Sequence, residues 1–303
     1  MITGRNIKNS GQVSLAVDIK RKNVSGGRPV LKNIRAEFTG GDFVLILGGA
    51  GTGKTTLIKT ILGESRATGR VLLDGCDLCS DPRRMRSMIS VVPQFLTLRQ
   101  NDTVRSTLED SAAVRLGRIC SREEQRRRVD EVLTALGIAE HADKYIGQLS
   151  GGQQKKAAVA DQLIGAQQVF ICDEPDSGLD AASRIQQMKI LKSISRTGKI
   201  VMVISHEPDD AVMLTDKGIR TLFSKVVVLA RSSKDMAGHL AFCGGIREAL
   251  RFFGVERLQD IMLEINPVSE GGKGRADEFI GRYEAACGRA PKADRGHQRR
   301  RGS

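Results

Sequence analysis

Between Gly48 and Thr55 the chain reads GGAGTGKT, a spacing that suits a run of phosphates. Gly48, Gly49, Gly51 and Gly53 let the backbone wrap an anion, and the N–H groups of Ala50, Thr52 and Thr56 join the same cradle. The Lys54 ammonium reaches the β- and γ-phosphates as a point charge. The Thr55 hydroxyl is a magnesium ligand. Farther on, VFICDE (Val169–Glu174) ends an apolar run on two acids. Asp173 suits Mg2+, held through water, and Glu174 suits the task of orienting or deprotonating an attacking water. His206 follows IVMVIS (Ile200–Ser205) at the strand edge where α/β sheets bind ligands. There it either hydrogen-bonds a γ-phosphate or serves the structure. A second anion site opens at LSGGQ (Leu149–Gln153), where a glycine pair heads a helix. The first turn of a helix offers free N–H groups and a partial positive charge. Ser150, Gly151, Gly152 and Gln153 thus form a second candidate phosphate cap. Spacing alone leaves open whether it serves its own chain's nucleotide or another's.

These residues need a scaffold, and the hydrophobic pattern supplies one. Val13, Leu15, Val17 and Ile19 alternate, as do Ile34, Ala36 and Phe38 after a turn at Gly26–Gly27. FVLIL (Phe43–Leu47) predicts a buried strand running into the glycine loop, and Lys54–Leu62 predicts a helix stopped by Gly63. Arg70–Leu73 and Met88–Val92 read as further strands. From residue 97 to 165 strand signals vanish and charged helical segments take over. Ser121 and Glu124 make a capping box before an apolar stripe of Val129, Val132, Leu133 and Leu136. Strands resume at Val169–Cys172, Ile200–Ile204 and Val226–Ala230. The fold class expected is α/β: a P-loop NTPase core with a mostly parallel sheet, an N-terminal antiparallel β-subdomain and an inserted α-helical subdomain. The nucleotide-binding domain is expected over residues 1–265. Residues 266–303, rich in Gly, Arg, Lys and Ala, are expected to be partly helical and then a basic flexible tail.

Composition narrows the function classes. The 303 residues are 40% hydrophobic, enough for a core, and contain no tryptophan and only two tyrosines. Such a chain is a poor stacking platform, so nucleic acid is not an expected partner. The formal net charge is +13. It reads either as a surface for an anionic membrane leaflet or as an evenly solvated excess; only Arg289–Arg301 is concentrated. Six cysteines are scattered without a disulfide framework. Cys76 and Cys79 form a C-x-x-C, with ordinary reduced thiols as the alternative to a redox or metal pair. The polar N-terminus lacks an apolar signal core. No apolar run approaches the roughly 20 residues of a spanning helix. The chain is expected to be soluble by itself and cytoplasmic.

In their order the motifs resemble the ATP-binding cassette (ABC) family: the P-loop, Gln94 in VVPQF, LSGGQ, VFICDE, SGLD at Ser177–Asp180, then His206. The resemblance covers about residues 13–204 and a little beyond. It implies ATP and Mg2+ as ligands, with Thr55, Gln94 and Asp173 around the metal. Glu174 is then the catalytic carboxylate and His206 the switch at the γ-phosphate. Gln94 touches the metal and the attacking water, and Asp180 lies in a loop that crosses to a partner cassette. The family packs two cassettes head to tail, so Ser150 and Gly152 of one would close over the nucleotide held by Lys54 of the other. The partners implied are a second cassette, identical or not, and a membrane-spanning transporter subunit. The location implied is peripheral, at the inner face of the cell membrane. KVVVLARSSKDMAGHLAFCGGIREALRFFGV after the switch resembles the G-type exporters, bacterial members especially, and TVRSTLEDSAAVRL resembles the same group. Three departures stand out. No aromatic precedes Phe38 to stack on adenine, which leaves Val24 or another aliphatic near Asn23–Gly27. Asp176 stands where Thr is common. G-type chains usually carry a membrane domain after the cassette; none is read within these 303 residues, so the membrane part is expected as a separate subunit or absent from this chain. The alternative is a soluble ABC ATPase of DNA repair, translation or cluster assembly; against it, the chain has room for one cassette and residues 56–149 hold no sustained heptad run.

Overall fold

The computed structural model describes residues 12–24, 27–77, 87–94, 98–117, 119–205, 207–215 and 218–289. Ten strands form one sheet: β1 (Ser14–Asn23), β2 (Pro29–Thr39), β3 (Phe43–Gly48), β4 (Thr68–Leu73), β5 (Cys76–Asp77), β6 (Ile89–Val92), β7 (Val169–Asp173), β8 (Ile200–Ile204), β11 (Lys225–Arg231) and β12 (Gly238–Gly244). Their order is β5-β4-β1-β2-β12-β11-β3-β8-β7-β6. A separate hairpin pairs β9 (Val212–Thr215) with β10 (Gly218–Thr221). From β11 through β3, β8, β7 and β6 the strands run parallel. β1, β2, β4 and β5 pair antiparallel. The sheet is therefore mixed, and the expected antiparallel subdomain is its continuation, joined through β2 and β12 at Leu31 and Lys32.

The parallel strands are covered on both faces, which is why their sequences are apolar throughout rather than alternating. In β3, Phe43, Leu45 and Leu47 enter one core, whereas Val44 and Ile46 enter another. The second core includes Leu57, Ile58 and Ile61 of α1 (Lys54–Ile61). The first takes the helical insert: α2 (Val104–Leu116), α3 (Arg122–Ala135) and α4 (Gly151–Leu163). Ser121 and Glu124 form the capping box expected of them, and Val129, Val132, Leu133 and Leu136 are buried as a stripe. Helix α5 (Ala181–Ser195) starts at an Asp180 cap.

After α6 (Ile246–Phe253) and α7 (Asp260–Ile265), residues Ala276–Arg289 form a helix, α8. It is docked, not loose: Phe279 is 0% exposed and stacks 4.6 Å from Phe253. Tyr283 closes on Phe242 of β12 at 5.6 Å, and its hydroxyl donates to the Cys243 carbonyl at 3.1 Å. The chain rich in Gly and Arg still places Ala276, Phe279, Ile280 and Tyr283 on one helix face, and burial of that face fixes the segment.

Candidate active site

Parallel pairing brings three strand ends to one edge. Ile46 of β3 lies beside Ile204, the end of β8, and Asp173, the end of β7, lies across from that same Ile204. The loop Gly48–Gly53, the acids after β7 and Gln94 after β6 therefore share the C-terminal edge of the sheet, where α/β proteins take ligands.

The loop is shaped by its glycines. Gly51 and Gly53 have φ of +69° and +92°, in the left-handed region that glycine visits without cost. No side chain caps the start of α1, so its first N–H groups stay directed at the loop. Lys54 folds over the cradle and donates to the carbonyls of Gly48 at 2.6 Å and Gly49 at 3.1 Å. Burial pushes its ammonium below the ordinary lysine value, and the nearby carboxylates of Glu174 and Asp173 pull it back up. The three groups thus face one another. Thr52 donates its hydroxyl to Gly49 O at 2.9 Å, bracing the loop from within.

Glu174 takes φ +49°, a left-handed conformation rare for a non-glycine residue. Its N–H is held by Ile204 O at 3.0 Å. Gln94 Nε2 donates to Glu174 Oε2 at 2.5 Å. That contact fixes the carboxylate and leaves the Gln94 carbonyl oxygen as the end suited to a hard cation. The donor types available here, the exposed Thr55 hydroxyl, the Asp173 carboxylate and the Gln94 amide, are oxygens of the kind Mg2+ takes together with phosphate. Among the described residues no cluster of three His, Cys, Asp or Glu side chains offers an all-protein metal site. The oxygen donors of Thr55, Asp173 and Gln94 fit an ion shared with a nucleotide's phosphates.

Ser150 caps α4 in a capping box with Gln153, whose amide also meets His141 Nε2 at 2.8 Å. Ser150 and Gly151 are exposed. Gly152 lies against Leu179, so the LSGGQ and SGLD loops touch. Asp180 is exposed and caps α5 through Ser183, whose hydroxyl and N–H donors hold its carboxyl below the usual range. His206 and Cys79 lie outside the described residues. Cys76 is a free thiol. Val24 is 46% exposed near the region where an adenine contact is expected.

Several contacts at this edge were not foreseen. Asn266, after α7, packs on Gly49, where an added Cβ would sit 2.5 Å from its Oδ1. Gly238 of β12 presses on the Thr52 carbonyl. A cavity of about 290 Å³ lies between the loop, the end of β11 and residues 265–277, with Arg231, Ser232 and Asp277 in its wall. Asp176 is 4% exposed and accepts from the Ser205 hydroxyl at 2.5 Å. Lys155 of α4 donates to the Ser177 carbonyl. No local pattern signals these contacts, because each joins segments distant in sequence.

Comparison with known proteins agrees with this geometry. Residues 31–177 match the family model described as ABC transporter. Mouse ATP-binding cassette sub-family G member 5 is 32% identical over 235 residues, 75% of this chain and 34% of that protein. The spermidine/putrescine import ATP-binding protein PotA of Thermotoga maritima is 34% identical over 190 residues, 62% of this chain and 50% of that protein. A solved structure of cbiO1 from Clostridium perfringens, part of the ABC transporter complex cbiONQ, superposes with a TM-score of 0.67 at 27% identity. It covers 78% of this chain and 90% of that one. The chain thus spans a third to a half of the length of these curated relatives.

Proposed function

We propose, on the premise that this chain carries the ATP-binding cassette of the ABC transporter family, that it binds and hydrolyses Mg-ATP to power a membrane transporter, one that exports its cargo. The observation that carries the reading is the meeting of Lys54, Asp173, Glu174 and Gln94 at a single sheet edge. The likeness to a G-type relative over 75% of the chain supports the exporter subtype.

The loop N–H groups of Gly48–Thr56 take the phosphates. Lys54 leaves the Gly48 and Gly49 carbonyls and turns to the β- and γ-phosphates. Thr55, Asp173 and Gln94 would hold Mg2+, which neutralises charge on the β- and γ-oxygens. Glu174, clamped by Gln94, orients the attacking water and accepts its proton. His206 contacts the γ-phosphate. The Ser150–Gln153 cap, exposed at Ser150 and Gly151, serves the nucleotide of a second cassette, identical or not, and Asp180 reaches across the same interface. ATP closes the pair; hydrolysis reopens it. A membrane-spanning subunit receives the motion at the helical insert, and the cassette works at the inner face of the membrane. None of the helices among the described residues is long and apolar enough to cross that membrane.

The test is Lys54→Ala. Equilibrium binding of Mg-ATP and phosphate release should both fall below detection, and full turnover would remove the phosphate-site assignment.

A further inference from the structure

Helix α4 does more than present LSGGQ. One turn beyond Gly151, Lys155 donates to the carbonyl of Ser177 and, at 3.1 Å, to its hydroxyl. Ser177 belongs to the turn that follows Glu174, and its own N–H donates back to Glu174 O at 3.2 Å. The next anchor is Asp176, buried at 4% exposure, which takes the Ser205 hydroxyl at 2.5 Å. That hydroxyl in turn accepts from Glu207 N–H at 3.1 Å. At the far end of the turn Arg184 donates to Leu179 O at 3.0 Å and pairs with Asp210 at 2.5 Å. The segment 174–179 is thus pinned to α4, to the end of β8 and to α5. Burial lowers the Lys155 ammonium, while Asp176 and Glu174 act to raise it, so its charge lies close to both acids.

These ties have a physical purpose. Glu174 sits in a left-handed conformation, which is strained for a non-glycine residue and persists only where surroundings enforce it. Lys155 joins this turn to the helix carrying Ser150 and Gly152. Asp176, where the family commonly has Thr, adds an anion beside that cation.

We propose that Lys155 and Asp176 are positioning residues for Glu174, clamping its turn so that the LSGGQ helix and the hydrolytic carboxylate move as one body. This inference rests on the ATPase reading above.

The experiment measures ATP affinity, kcat and Tm for Lys155→Gln, Lys155→Arg and Glu174→Gln alongside the wild type. Lys155→Gln should lower kcat about tenfold or more, the scale of a sub-ångström misplacement, while ATP affinity stays within about twofold. Lys155→Arg, which still reaches the Ser177 carbonyl, should recover most of the rate. Wild-type kcat in Lys155→Gln with an inactive Glu174→Gln overturns this inference and spares the ATPase reading. Full turnover in Glu174→Gln overturns both. Where Lys155→Gln is unstable, the arginine variant decides: Tm and kcat restored together support the clamp, whereas Tm restored without kcat means that the tie to Ser177 does not position Glu174, which overturns the inference.

Discussion

Gly238 lies outside every nucleotide motif, yet the structure makes it a determinant of ATP affinity. A Cβ placed there would stand 1.9 Å from the Thr52 carbonyl oxygen and 2.9 Å from its carbon, where ordinary contact begins near 3.4 Å. Something must move by roughly 1.5 Å, the difference between the two separations. Strand β12 cannot easily yield, because Gly238 is paired with Arg231 on one side and Leu31 on the other. The loop Gly48–Gly53 is therefore the part that gives. Displacing the loop by that distance breaks at least one N–H bond to a charged phosphate, worth about 1.5–3 kcal/mol, so Gly238→Ala should weaken Mg-ATP binding by on the order of a hundredfold, about 2.7 kcal/mol. Overpacking should also cost about 1–3 kcal/mol of stability, lowering Tm by about 2–4 °C per kcal/mol for a chain of this size. Calorimetric titration with ATP reads the first effect and a thermal melt the second. Gly281→Ala is the control: its Cβ meets open space on helix α8, so helix propensity should raise stability by up to about 1 kcal/mol. ATP affinity within twofold of wild type in Gly238→Ala would refute the contact between strand and loop as a shaping element.

Two further outcomes follow from local geometry. Burial, with Arg128 adding a smaller push, lowers the Lys199 ammonium from 10.5 to about 8. The charged form is penalised in the fold, fully so below pH 8, and the penalty is relieved as pH climbs from 8 towards 10.5. At about 1.36 kcal/mol per unit this is roughly 3 kcal/mol, less about 1 kcal/mol for the hydrogen bond to the Gln167 carbonyl. Lys199→Met should therefore be more stable than wild type by about 2 kcal/mol at pH 7, with the gap shrinking above pH 8; an equal gap at pH 7 and 10 would contradict it. Ser150→Arg should leave ATP binding to the single chain intact while blocking turnover. Loss of binding in the isolated chain would mean that the LSGGQ cap serves its own loop.

Much of the scaffold was legible because burial leaves a plain signature. Strands covered on both faces, β3, β7 and β8, must be apolar where they are fully buried, and they read as such up to the Asp173 end of β7. The start of α3 was legible because the Ser121–Glu124 box is a contact between residues three apart. The C-terminal segment was legible only as partly helical: its stripe of Ala276, Phe279, Ile280 and Tyr283 is periodic, but the Gly, Arg and Lys content of 266–303 hides which residues pack. The residues around the phosphate loop divide in the same way. Gly48 to Thr55 announce their chemistry by spacing. The contacts of Gly238 with Thr52, Asn266 with Gly49, Lys155 with Ser177 and Ser205 with Asp176 bridge distant segments, and only the assembled sheet brings them together.

The central claim is that Lys54 and its loop hold ATP while Glu174 drives its hydrolysis. The most direct measurement compares wild type and Glu174→Gln for Mg-ATP binding and for phosphate release. Glu174→Gln should bind Mg-ATP at least as tightly as the wild type and release no phosphate. Phosphate release from Glu174→Gln at the wild-type rate would contradict it.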